Sequence, residues 1–150
     1  MIRRRIALTL TLVAMTLPAW GGGDTKLETF RGKVIPLADF FAKQGGKLDA
    51  DAAPYAIVLV GDDGKALSIV KDAGSRMFFQ DKQLHNRPMR LTGKLIAGSS
   101  LLQVINIHSE IDGKLHEVYY WCDICTIRGY EAGICDCCGG PMEFREVPVK

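Results

Sequence analysis

The segment Trp121-Cys122-Asp123-Ile124-Cys125, then nine residues, then Cys135-Asp136-Cys137-Cys138-Gly139-Gly140-Pro141-Met142 constrains this chain more than any other. Cys122 and Cys125 form one C-x-x-C pair, and Cys135 and Cys138 form a second. A C-x-x-C turn points two sulfurs to the same side. Two such turns facing each other supply four thiolates at about 2.3 Å from a tetrahedral ion. Gly139, directly after the second pair, suits a turn at positive φ whose amides point toward sulfur, and Gly133 gives the entering chain the same freedom. Cys122, Cys125, Cys135 and Cys138 are therefore the expected metal ligands. Thiolate-only ligation favours Zn, or Fe in a rubredoxin-like site, over hard cations, and a soft ion such as Cu(I) also fits. Four thiolates leave zinc no open position, which makes the expected role structural and not hydrolytic. Arg128 or backbone amides are expected to offset the negative charge of the site, with Asp123 and Asp136 facing solvent.

Two other fates of these cysteines stay open. In an oxidising compartment paired cysteines become disulfides. Trp121-Cys122-Asp123-Ile124-Cys125 also resembles the active-site Trp-Cys-x-x-Cys of thioredoxins, which implies a thiol-disulfide oxidoreductase. There, however, the first cysteine caps a long helix that lowers its pKa, and here Gly129 and Gly133 arrive too soon for such a helix. Cys137 is left over. A bond to neighbouring Cys138 would be strained, so Cys137 is a free thiol, an alternate ligand or a link to another molecule.

The run Gly133-Ile134-Cys135-Asp136-Cys137-Cys138-Gly139, with Met142 following, resembles the second half of the heavy-metal-binding knuckle of some bacterial metal-efflux adaptor and copper-handling proteins. That family pairs a Cys-Pro-Met-His element with a later Pro-Gly-x-Cys-Pro-x-Cys-Gly-Met element in a small rubredoxin-like or zinc-ribbon unit. Cys122 matches its first cysteine, Cys125 stands where its histidine does, and Cys135 and Cys138 match its second pair. Both prolines within the knuckles are absent, Ala132 replaces the proline before Gly133, and the first knuckle lacks the methionine. The resemblance covers the C-terminal segment alone and implies metal binding without naming the ion.

At the other end, Arg3, Arg4 and Arg5 precede the apolar run Ile6–Leu17, Pro18 breaks it, and Ala19-Trp20-Gly21 offers small residues for cleavage. This is the layout of a secretory signal peptide, expected over residues 1–21. The apolar run is short of the roughly 20 residues that span a bilayer. The predicted location is periplasmic or secreted, with no membrane span after signal removal. The 19 Lys and Arg against 17 Asp and Glu give a formal charge of +2. Without the three leading arginines the balance turns slightly acidic. A nucleic-acid partner would require a basic face, and composition provides none.

Between these ends, short apolar bursts alternate with turn signals. Thr29–Ile35, Tyr55–Val60, Ala66–Val70, Met89–Ile96, Leu101–Ile107 and Leu115–Trp121 read as strands. Asp63-Gly64 and Asp112-Gly113 mark hairpins. Leu37–Gln44 and the stretch around Met77, Phe78, Phe79 and Leu84 read as short helices, with Phe40-Phe41 and Phe78-Phe79 expected in the core. Three strands, a helix and two strands is the order of the OB-fold, a five-stranded barrel, in which Gly93 would serve a sharply curved strand. His108 is expected to close a strand. His116, six residues before Cys122 on one strand, would lie about 20 Å from it and is not an expected ligand. Tyr119 and Trp121 should share a face opposite to Tyr120. No Ser-His-Asp order, phosphate-cradling loop or H-E-x-x-H helix occurs.

The expected fold is mainly β: a small OB-like β-barrel with one or two short helices over residues 22–116, then a four-Cys zinc-ribbon-like knuckle over 117–150. The expected function is non-enzymatic metal binding outside the cytoplasm, either in metal handling or as a zinc-stabilised interaction module with a protein partner. The alternatives are an OB-like module for a carbohydrate or peptide with stapled cysteines, and the oxidoreductase.

Overall fold

The structure is a computed structural model describing residues 26–150, so the expected signal segment lies outside the described residues. Among the described residues no helix is long and apolar enough to cross a membrane. The chain begins with β1 (Glu28–Pro36) and α1 (Leu37–Lys43), then β2 (Ile57–Gly61) and β3 (Ala66–Ile69). A short helix, α2 (Met77–Gln80), and a 3-10 turn at Lys82–Leu84 lead to β4 (Pro88–Leu95) and β5 (Leu101–Ile111). The remainder is β6 (Lys114–Cys122), β7 (Ile127–Gly129), β8 (Gly133–Ile134) and β9 (Pro141–Pro148).

Antiparallel pairing runs β3-β2-β1-β4-β5. The start of β5 then pairs in parallel with β3, at Ser68↔Leu101 and Ile69↔Leu102, giving a partial ring closed by only two residue pairs. Past the ring β5 continues, and His108–Ile111 pair with Lys114–Glu117 of β6, which carries the sheet on to β9 and β8. The expected boundary between residues 116 and 117 lies inside β6.

Local chemistry explains the turns. Asp112 and Gly113 both take positive φ, 50° and 73°, the combination that a two-residue hairpin requires. At the β2–β3 turn only Gly64 does so (φ 78°), and Asp63 instead accepts a hydrogen bond from the Lys65 amide. Alternation sets the core: Met89 and Leu91 are fully buried while Arg90 and Thr92, which follow each in turn, are half-buried. On β5 that alternation breaks at exposed Ile105 and Asn106, because Thr92↔Asn106 and Gly93↔Val104 leave Ile105 as the extra residue of a β-bulge. Met77, Phe78 and Leu84 descend from the α2 segment onto Val34, Leu59, Leu102 and Val118, all within the main core.

Three expectations are corrected. Tyr55 precedes β2 in a 3-10 turn and is 70% exposed, so the apolar run starts its strand at Ile57. Phe40-Phe41 stays out of the core, since α1 buries none of its residues. His108 lies within β5, which the pairing with β6 extends to Ile111.

One polar contact ties the α2 segment to β6. The Tyr120 hydroxyl donates to the Asp81 carboxylate, which also accepts from the Gln83 amide at 2.9 Å and from the Gln83 side chain. Burial pushes the Asp81 carboxyl up, but these hydrogen bonds outweigh it and hold the carboxyl below the ordinary 3.8. The folded state therefore gains stability from this group above pH 3.8 and loses it as pH falls through the lower folded value. Tyr120→Phe should cost about 1–2 kcal/mol at neutral pH. In denaturant titrations the gap between variant and parent should close in acid.

Candidate metal centre

The local fold of each C-x-x-C pair is a hairpin tip. Cys122 ends β6, and β7 returns along the same strand with Cys122↔Ile127, Trp121↔Arg128 and Tyr120↔Gly129 in register. The second pair sits between β8 and β9, which pair at Gly133↔Met142 and Ile134↔Pro141. Strand β9 then runs antiparallel to β6 from Trp121↔Glu143 to His116↔Pro148, which brings the two tips together.

Each pair is followed by a residue in the left-handed region: Thr126 (φ 53°) after Cys125 and Gly139 (φ 70°) after Cys138. This turn aims amides at sulfur. The Cys125 amide donates to the Cys122 Sγ and the Gly140 amide to the Cys138 Sγ, each at 3.4 Å. Backbone bonds from Gly139 to the Cys135 carbonyl (2.8 Å) and from Cys135 to the Gly140 carbonyl (2.7 Å) close the second tip. Gly139 and Gly133 (φ 125°) take the positive φ that their positions suggested. Thr126 was not legible in advance, because a β-branched residue is poorly suited to that conformation.

The Sγ atoms of Cys122, Cys125, Cys135 and Cys138 all lie within 4.8 Å of one another, and Cys122 and Cys138 are 3.5 Å apart. Four sulfurs held about 2.3 Å from one tetrahedral ion would sit roughly 3.8 Å from each other, so this spacing fits a shared ion. All five cysteines are unbonded to one another. Cys122 (0% exposed) and Cys135 (2%) form the floor of the cluster, Cys125 is half-buried, and Cys138 is exposed.

Crowding splits the thiols. Amides of Cys138 and Cys137 stabilise the Cys135 thiolate and lower its pKa to about 7. Cys125 moves the other way, pushed up by the adjacent thiols of Cys137 and Cys138 and by burial. At Cys122 the Cys125 amide pulls down, but burial and the thiols of Cys138 and Cys135 prevail and raise it. Four thiolates this close repel one another unless a cation sits among them, which is the electrostatic condition of a metal site.

Of the expected charge partners, Arg128 is engaged elsewhere. Its guanidinium donates to both Glu117 carboxylate oxygens and lies 4.3 Å from the centroid of the Tyr119 ring. The backbone amides at the two tips are left to offset the thiolate charge. Asp123 faces outward, paired with Arg145 at 3.1 Å. His116 caps nothing in the cluster, its Nδ1 lying 3.2 Å from the Lys114 carbonyl, and His85 Nε2 lies 2.7 Å from the Phe78 carbonyl. Tyr120 is 3% exposed and packs edge-on against Phe144 at 5.6 Å, whereas Tyr119 and Trp121 share the opposite, half-exposed face.

No protein-family model matches the chain, and neither the curated proteins nor the solved structures yield a match.

Proposed function

We propose that this is an exported, non-enzymatic metal-binding protein whose two C-terminal hairpin tips hold one Zn ion through Cys122, Cys125, Cys135 and Cys138. Its role is metal handling outside the cytoplasm, or zinc-stabilised contact with a protein partner. The observation that carries this proposal is the convergence of four sulfurs within 4.8 Å from two separate hairpins. A d10 ion accepts that geometry without electronic preference, and four thiolates exclude hard cations. Pairing of β1 with β2 and β4, and of β5 with β3 and β4, with α2 between β3 and β4, supports an OB-like barrel for the ring. The paired tips support a zinc-ribbon-like unit for the remainder.

Burial argues against the thioredoxin comparison. A thiol-disulfide catalyst needs an accessible first cysteine with a depressed pKa. Cys122 is fully buried and its pKa is raised. Insulin-reduction assays should accordingly show no turnover.

Elemental analysis of protein recovered from the export compartment should give one Zn per chain. Thiol titration should find Cys137 reactive at once and four more thiols only after chelation. Visible absorption would indicate Fe in the same site. Metal-free protein with four thiols already oxidised would remove the proposal. A second reading rests on the cleft of about 510 Å³ at the β2–β3 end of the ring. Phe30, Leu59, Leu67 and Leu95 line it beneath Arg31 and Asp62, a mix suited to a carbohydrate or peptide. In that case the cysteines serve as staples, and chelation would change nothing.

A further inference from the structure

Strand β6 carries two aromatic rings that the core does not use. Val118 and Tyr120 face inward and are buried, so Tyr119 and Trp121, at the alternate positions, stand half-exposed on the outer face. Their rings meet edge-on, with centroids 6.3 Å apart and planes at 74°. Strand β9 supplies the rest of this surface, since Tyr119 pairs with Arg145 and Trp121 with Glu143. Tyr119, Trp121, Asp123, Arg145 and Val147 line an open hollow of about 160 Å³. That is the volume of about five water molecules, the scale of a single sugar ring.

The charges around the hollow decide what it accepts. Arg145 Nη2 donates to the two Asp123 carboxylate oxygens, at 3.2 and 3.1 Å, and to Glu143 at 2.8 Å, while Arg145 Nε has no partner. The Arg128 guanidinium lies against the Tyr119 ring and is itself paired with Glu117. A phosphate or sulfate would meet the Asp123 and Glu143 carboxylates beside the arginine. A quaternary ammonium, which suits perpendicular aromatic rings, would meet two guanidinium groups. A neutral polyol meets neither repulsion: its hydroxyls donate to carboxylate and accept from guanidinium, and its C–H face covers an aromatic ring. The geometry points to a binding site for one pyranose residue of a neutral glycan, stacked on Trp121 and hydrogen-bonded by Asp123 and Arg145. This site is separate from the cleft at the β2–β3 end, and none of the four clustered cysteines lines it.

Titration of the isotope-labelled full chain, followed by nuclear magnetic resonance at the Trp121 indole N–H, tests this. The probes are cellohexaose, laminarihexaose and chitohexaose, with choline and inorganic phosphate as the competing ligand classes. At least one hexasaccharide should shift the indole signal saturably, and neither choline nor phosphate should do so. Calorimetry with that sugar should show affinity about tenfold lower in Trp121→Leu, which loses the stacked ring. Asp123→Asn, an isosteric change at an exposed side chain, should also weaken the sugar by about tenfold. Its thermal melt and metal content should match the parent, which separates loss of a ligand contact from damage to the β6–β9 pairing. No response to any of the three sugars would overturn the assignment. Equal sugar affinity in the parent and both variants would do the same, as would an indole shift produced by choline or phosphate and not by sugar. A chain without zinc that still binds the sugar would remove the metal centre and leave this site standing.

Discussion

Cys138→Ser is expected to abolish stoichiometric metal and to disorder the C-terminal segment while leaving the ring folded. A tetrahedral thiolate site needs all four of its corners, and Cys138 is one of the four sulfurs that converge. Metal binding at structural thiolate sites contributes about 10–16 kcal/mol at neutral pH, so losing a corner removes the main force holding the tips. The strands that depend on it are short: β7 spans three residues and β8 two, and neither buries a residue. The ring, by contrast, has its own core in Val34, Leu59, Phe78, Leu91 and Leu102, all nearly or fully buried. Far-UV circular dichroism should therefore retain most of its strand signal, and proteolysis should trim the chain beyond β6. Collapse of the whole fold would contradict the independence of the ring.

The second large effect is expected inside the ring. At Gly93 an added Cβ would sit 2.1 Å from the Gln103 carbonyl oxygen, a backbone atom that cannot move aside without breaking the β4–β5 ladder. Gly93→Ala should cost about 3 kcal/mol, at the upper end of overpacking effects. That corresponds to a fall in Tm on the order of 10 °C for a chain of this size. Gly64 gives the contrast: a Cβ there meets nothing within 4 Å, and only its φ of 78° is unfavourable. Gly64→Ala should cost about 1 kcal/mol. Equal costs at the two positions would show that close backbone approach is not what Gly93 provides.

What was legible beforehand follows the physics of short-range signals. Met89 and Leu91 alternate with Arg90 and Thr92, and the structure buries the first two on β4. Asp112-Gly113 marked its hairpin because both positions need positive φ. The four cysteines announced themselves by spacing. Less visible was whatever depends on distant partners. The bulge at Ile105 exists because β4 and β5 slip by one residue, and no local pattern records that slip. β5 extends to Ile111 because β6 is there to pair with it. β7 and β8 are too short to show periodicity, and they exist as strands only because β6 and β9 pair with them. Arg128 was expected beside the thiolates, but Glu117 lies across the strands and takes its charge. Thr126 takes the conformation that Gly139 takes in the other tip, and its residue type gives no sign of it.

X-ray absorption at the zinc edge, on the purified full chain, probes the convergence of the thiolates most directly. A single shell of four sulfurs at about 2.3 Å from one zinc ion is predicted. A shell of nitrogen or oxygen atoms, or no bound ion beside a chain mass four hydrogens light, would contradict the account.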